Sequence, residues 1–187
     1  MRLPIDLLQA LMKENLYKSS TFLFVNQCAP VAYDLKPAEL MMIDRKKVQE
    51  YEMQTLQIGK KSSTLYEGAQ KSAVLVYNED AIKELLNENE VHQFLYDCHY
   101  ASDGLEEILK LLGQNIQSYF EGKQQYPHEL GVLLGYPMKD VIGYIKNRGK
   151  NYLYCGYWKV YADLEKAKRQ FEQYNRARYL MISHLLK

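Results

Sequence analysis

Ser72-Ala-Val-Leu-Val-Tyr77 (SAVLVY), followed at once by Asn78-Glu-Asp-Ala-Ile-Lys-Glu-Leu-Leu86, sets the fold class of this chain. The first stretch is short, apolar and valine-rich, which is the composition of a strand, and its lack of polar alternation implies burial on both faces. Asn78 can cap the segment after it, because an asparagine carbonyl accepts the free N–H groups of a first helical turn. A two-sided strand running straight into a helix belongs to a mixed α and β fold.

On the N-terminal side, Pro4 suits a first helical turn, and Ile5, Leu7, Leu8, Leu11, Met12 and Leu16 recur at helical spacing to about Lys18. Thr21 to Val25 (TFLFV) reads as a short strand entering a loop, since Pro30 interrupts regular structure. Leu35 to Ile43, with Lys36-Pro37, fits a helical turn and a β-edge equally. Arg45 to Gln54 is a polar helix, and Leu56 to Tyr66 reads as two short extended pieces turning at Gly59 and the Lys-Lys-Ser-Ser stretch.

On the C-terminal side, Asn89 can cap a helix through Val91, Phe94, Leu95 and Cys98. Ser102, with Glu106 and Glu107, opens another through Leu105, Ile108, Leu109, Leu112, Ile116 and Phe120. Asp163 can cap a last helix whose stripe is Leu164, Ala167, Phe171, Tyr174, Ala177, Met181 and Leu185. With no internal repeat or low-complexity linker, residues 1–187 are expected to form one helix-rich α+β domain with a small sheet of about three to four strands and a long C-terminal helix.

A chain of 187 residues can bury enough surface to need no disulfide or structural metal. Cys28, Cys98 and Cys155 are odd in number and widely spaced, so reduced thiols are expected. No window holds the 18 or more uncharged apolar residues of a membrane helix. Asp6 breaks the opening apolar stretch with no small-residue cleavage site after it, so the chain is read as cytoplasmic. The net charge of +1 hides an asymmetry: residues 1–145 hold 14 basic against 20 acidic side chains, and residues 146–187 hold 10 against 3. A basic end attracts phosphate-bearing partners, and a solvated helix face explains it equally well.

The richest region is 126–161. Tyr126-Pro127-His128-Glu129 through Tyr136-Pro137 reads as a short helix leaving at Gly135, and a second helix through Asp140 and Tyr144 ends at Gly149. Gly131, Gly135 and Gly143 make no phosphate-binding series. His128-Glu129 lacks the second histidine of a zinc protease, Val132 standing in its place, and no metal centre is assigned. An imidazole beside a carboxylate can still move protons near neutral pH, and Cys155 is a nucleophile if its thiolate is stabilised by Lys159 or His128. Against that stand a hydrogen-bonded structural histidine and a small buried thiol.

Lys150 to Tyr161 (KNYLYCGYWKVY) reads as a strand with Tyr152, Tyr154, Trp158 and Val160 on one face and Leu153, Cys155, Tyr157, Lys159 and Tyr161 on the other. It is a strand covered on both sides or a stacking surface for a flat cofactor or base, with Arg148, Lys150 and Lys159 beside it. A phosphate grip by Asn147 to Asn151 is disfavoured by the repulsive dipole at a helix C-terminus.

PHELGVLLGYP, DVIGYIKNRGKN and CGYWKVY, together with QCAPVAYDLKPAEL and SAVLVY upstream, resemble the bacterial domain-of-unknown-function family 3793 (DUF3793). The resemblance spans most of the chain and brings no established activity. It implies a histidine where Gln27 stands here, so a site pairing that position with His128 would be incomplete. It also implies anaerobic bacteria and a flavodoxin-like redox protein as a partner.

Three functions follow. The first is a small-ligand or cofactor-binding domain with a pocket lined by Tyr136, Tyr144, Tyr154, Tyr157 and Trp158 and edged by His128, Arg148, Lys150 and Lys159, its cofactor unnamed. The second is an enzyme using His128, Glu129 and Cys155 on a small substrate. The third is a protein or nucleic-acid adaptor acting through Lys166, Lys168, Arg169, Arg176 and Arg178, nucleic acid being the less expected partner.

Overall fold

Ser72 to Tyr77 lies within β3 (Lys71–Tyr77), the middle strand of a three-stranded antiparallel sheet, in a computed structural model that describes residues 4–100 and 104–186. Its neighbours are β1 (Ala38–Asp44), in register from Ala38 opposite Tyr77 to Asp44 opposite Lys71, and β2 (Lys61–Glu67), with an irregularity between Thr64 and Tyr66. Alternate side chains of β3 enter two different cores, as the period of two requires. Val74 and Val76 pack with Leu11, Phe24 and Met41; Leu75 and Tyr77 pack with Ile82, Leu112, Ile116 and Leu130. Truncating a fully buried leucine here, such as Leu75→Ala, costs about 2–5 kcal/mol.

The first core is closed by α1 (Ile5–Lys13), α2 (Ser20–Ala32), α3 (Val48–Gln57, entered through a 3-10 turn at Arg45–Lys47) and the last turns of α9 (Leu164–Leu185). The second is closed by α4 (Glu79–Leu86), α5 (Asn89–Asp97), α6 (Leu105–Phe120), α7 (Leu130–Leu133) and α8 (Met138–Asn147). A small hairpin, β4 (Tyr154–Cys155) and β5 (Lys159–Val160), precedes α9 and forms a third cluster with it. The fold is α+β, helix-rich, with a long C-terminal helix.

Three sequence expectations are corrected. Thr21 to Val25 is helical, within α2: Ser19 Oγ accepts from the Phe22 N–H at 3.1 Å, and Phe22, Phe24, Val25, Cys28, Ala29 and Val31 are all buried. A helix wedged between sheet and α9 is apolar nearly all round, and over five residues such a run cannot be told from a buried strand. Pro30 stands in its last turn, where it forgoes the one N–H bond that would reach back to the Asn26 carbonyl and the helix ends two residues later. Leu56 and Gln57 are the end of α3, with Gly59 at φ +67° releasing the chain into β2, so only the second of the two extended pieces exists. Lys150 to Tyr161 is a reversal and not one strand.

Smaller differences follow from capping. Asn15 and Lys18 adopt left-handed conformations, which stops α1 at Lys13. Glu88, not Asn89, occupies the cap of α5. Asp163 stands at the start of α9 in a left-handed conformation without a side-chain cap bond, and Ser102 lies outside the described residues. The 35–43 segment is the edge strand β1. Ile182, one position from Met181, completes the buried stripe of α9.

Candidate functional site

The segment 126–161 builds one cleft from two pieces of chain. The first is a corner: α7 ends at Gly135, whose φ of +75° sets it flat on Pro37, a Cβ there falling 2.5 Å from the proline Cδ. Pro137 then starts α8, which ends on Arg148 and Gly149, both left-handed. The second is the β4–β5 hairpin, which turns at Gly156 because that glycine packs on Phe171 of α9; a Cβ would lie 2.2 Å from Phe171 Cε2.

Asp140, in the first turn of α8 and only 3% exposed, ties the pieces together. Its Oδ2 accepts from Trp158 Nε1 at 2.7 Å, and its Oδ1 accepts from the Tyr161 and Ala162 N–H groups at 2.7 and 3.0 Å. Three donors meet the need of a buried carboxylate for hydrogen bonds. Lys159 makes the second tie: its ammonium donates to the Gly149 carbonyl at 2.8 Å and lies over the rings of Tyr144 and Tyr152 at 5.6 and 5.0 Å. A cation is well placed on the negative end of α8.

Between the pieces is a cleft of about 320 Å³. Leu130, Leu134 and Val141 line its apolar part, Tyr136 and Trp158 form a stacked wall with centroids 5.2 Å apart, and Tyr126, His128 and Tyr144 form a row of rings 5.9 and 5.2 Å apart. Cys155, Tyr157 and Lys159 complete the rim. Burial pushes the Tyr136 phenol well above its ordinary value, with the Glu39 carboxylate adding to it, and burial raises Tyr126 too. Both phenols therefore stay protonated at neutral pH and serve as hydrogen-bond donors and acceptors, not as bases.

Of the residues named from sequence, Tyr136, Tyr144, Tyr157, Trp158, Lys159, His128 and Cys155 line this cleft; Arg148, Lys150 and Tyr154 do not. Arg148 and Lys150 are exposed on either side of Gly149, whose carbonyl Lys159 contacts. Tyr154 is exposed, with its ring 6.2 Å from that of Phe171. Glu129 turns away from His128 and Cys155: its carboxylate accepts from Tyr100 Oη at 2.7 Å, and Asn115 Nδ2 donates to that same phenol at 2.9 Å. Gln27 is exposed on α2 and is not part of the cleft lining. In the 147–151 turn, Asn147 Nδ2 donates to the Gly143 carbonyl at 2.9 Å, so that amide serves the helix end. Along α9, Lys166, Lys168, Arg169 and Arg176 are exposed, whereas Arg178 is half-buried and bonds Asn26 and the Tyr157 hydroxyl.

Sequence reasoning missed the brackets behind the cleft. Lys36, 3% exposed, pairs with Glu39 at 2.6 Å and sits 5.3 Å from the Tyr136 centroid. Tyr157 Oη donates to Asn175 Oδ1 at 2.8 Å and accepts from Arg178. Asp140 carried a readable signal, as an acid in a first helical turn ahead of an aromatic strand. Nothing local marks Lys36 or Asn175. Among the described residues, no three His, Cys, Asp or Glu side chains gather as a metal site.

A family model described as a protein of unknown function, DUF3793, matches residues 24–187. The chain belongs to the DUF3793 family. The matched span takes in the whole cleft, both halves of its Asp140 tie and the sheet behind it. No curated protein and no solved structure matches the chain.

Proposed function

We propose that this DUF3793 protein is a small-ligand-binding domain whose cleft receives a flat, ring-bearing molecule. One observation carries the reading: the chain's single tryptophan, four tyrosines and a histidine converge with a lysine on one cleft of about 320 Å³. That volume is at the small end of ligand pockets, and apolar walls with a few polar groups are what such pockets share. The walls are held in advance, Trp158 by Asp140 and Tyr157 by Arg178 and Asn175, so little ordering remains to oppose binding.

Trp158 supplies the test. A ring entering the cleft contacts the only indole, so titration with a panel of planar aromatic compounds should quench or shift its emission, and native mass spectrometry should show the complex. A panel that leaves both the emission and the mass unchanged would refute the reading. His128 and Cys155 also share the cleft, which supports thiol or proton-transfer chemistry as a second reading; turnover abolished by Cys155→Ser with ligand binding retained would select it. The three unpaired cysteines fit a reducing compartment, and we place the protein in the cytoplasm.

A further inference from the structure

From Val141 to Ala162 the chain carries Lys146, Arg148, Lys150 and Lys159 and not one Asp or Glu. Interleaved with them are Tyr144, Tyr152, Tyr154, Tyr157, Trp158 and Tyr161. Folding sorts the two kinds of residue. The rings of Tyr144, Tyr157 and Trp158 line the cleft together with Lys159, and Arg148 and Lys150 are exposed on either side of Gly149, whose carbonyl Lys159 contacts.

A cleft of this size takes a ring system and little else, which leaves any substituent of the ligand at the mouth. Lys159 stands in the cleft lining, with Arg148 and Lys150 exposed beside the Gly149 carbonyl that it contacts. The carboxylate nearest in the lining, Asp140, has its oxygens filled by three donors, so it is not free to bind a ligand cation. The end of α8 opposes an anion with roughly half a negative charge, but the Lys159 ammonium already sits on the Gly149 carbonyl just beyond that end, and Arg148 and Lys150 remain in surplus. One carboxylate would use one of these cations; a phosphate, with more charge and more acceptor oxygens, uses several.

Resting on the ring-binding reading above, we propose that the ligand is a phosphate ester of a planar heterocycle, of the nucleotide class. Its base lies in the cleft against the Tyr136–Trp158 wall and the His128–Tyr144 row, and its phosphate lies at the mouth on Lys159, Arg148 and Lys150. Base stacking on aromatic side chains beside basic groups is the arrangement by which proteins hold nucleotides without reading an edge. The same chemistry is offered by a free nucleotide and by a residue of a single strand. The experiment separates the two.

Trp158 emission is titrated in the intact protein with adenosine, AMP, guanosine, GMP, inorganic phosphate and a short single-stranded oligonucleotide, for the wild type and for Arg148→Gln/Lys150→Gln. Both substituted side chains are exposed and lie outside the cleft lining, and circular dichroism of the double variant checks that α8 still ends at its left-handed position 148. A nucleoside monophosphate is expected to bind at least about tenfold tighter than its nucleoside, and the double variant is expected to erase that gain while leaving nucleoside affinity alone. An oligonucleotide binding more tightly than the monomers, with a steep loss on adding salt, would support the same chemistry and assign its source to a strand. Equal affinity for nucleoside and monophosphate, or a phosphate gain that survives the double variant, would overturn the proposal while the ring-binding cleft stood. No response to any ring, in this set or in the wider aromatic panel, would remove both.

Discussion

Asp140→Ala removes the acceptor for three donors in one step: the Trp158 indole and the Tyr161 and Ala162 backbone N–H groups. A buried donor left without a partner costs about 1–3 kcal/mol. The indole belongs to a residue only 6% exposed, whereas the two half-buried backbone groups lie near the cleft and can regain some solvation. The sum expected is about 3–5 kcal/mol, equivalent to a fall in Tm of about 10 °C for a chain of this length. Asp140→Asn keeps an oxygen for the backbone donors but turns an amide N–H₂ toward the indole, so roughly half of that loss is expected. Urea denaturation followed separately by circular dichroism and by emission of the sole tryptophan measures both, and the emission should move to the red in the native baseline as the hairpin loosens. A loss under about 1 kcal/mol for Asp140→Ala, with Trp158 emission unmoved, would refute the view that this carboxylate holds the cleft together.

Other perturbations test neighbouring claims. Brief alkylation of the native protein should label exposed Cys155 first and leave Cys28, which is fully buried, bonded to Met41 Sδ at 3.3 Å and raised far above the usual thiol range by burial; peptide mapping that finds both labelled at equal rates would contradict the packing of α2. Gly156→Ala sets a methyl against Phe171 and should cost about 1–3 kcal/mol as the hairpin lifts from α9, and a melting temperature equal to the wild type's would show the turn to be slack. Glu79 is held down to about 2 from 4.5 by hydrogen bonds from Lys61 and then Lys83. A depressed carboxyl contributes stability that is complete above its ordinary value and is lost as pH falls toward about 2, so Glu79→Gln should flatten that part of the acid-denaturation curve. Curves of identical slope for variant and wild type would exclude the contribution.

SAVLVY was readable because a middle strand with both faces covered has only one simple pattern, and its alternate residues do feed two cores. TFLFV was misread for the same reason in reverse: α2 is covered on several sides, so its apolar residues lost the helical period that would have betrayed it. In KNYLYCGYWKVY, alternation suggested a continuous strand, but Gly156 breaks it. The break exists because Phe171 of α9 needs the space, a fact fifteen residues away in sequence. The aromatic and basic side chains of the cleft were visible as composition. Their sorting into walls and mouth was not, because it depends on the hairpin reversal and on the left-handed pair Arg148-Gly149.

The cleft therefore owes its shape to residues outside the stretch that looks functional. Tyr136 is backed by Lys36, a buried cation paired with Glu39 of β1, and Tyr157 is held by Arg178 and Asn175 of α9, with Arg178 itself bonded to Asn26 of α2. A buried ion pair of this kind adds little net stability and costs several kcal/mol when only one partner is removed. Its position directly behind a stacked wall is better explained by orientation than by stability: an ammonium facing the Tyr136 ring and a carboxylate beyond it constrain where that ring can lie. The central sheet, the long last helix and the hairpin thus act on the cleft from three directions. A ligand that displaced Tyr136 or Tyr157 would disturb packing against β1 and α9 at once, so the geometry favours ligands that fit between the walls as they stand over ligands that must move them.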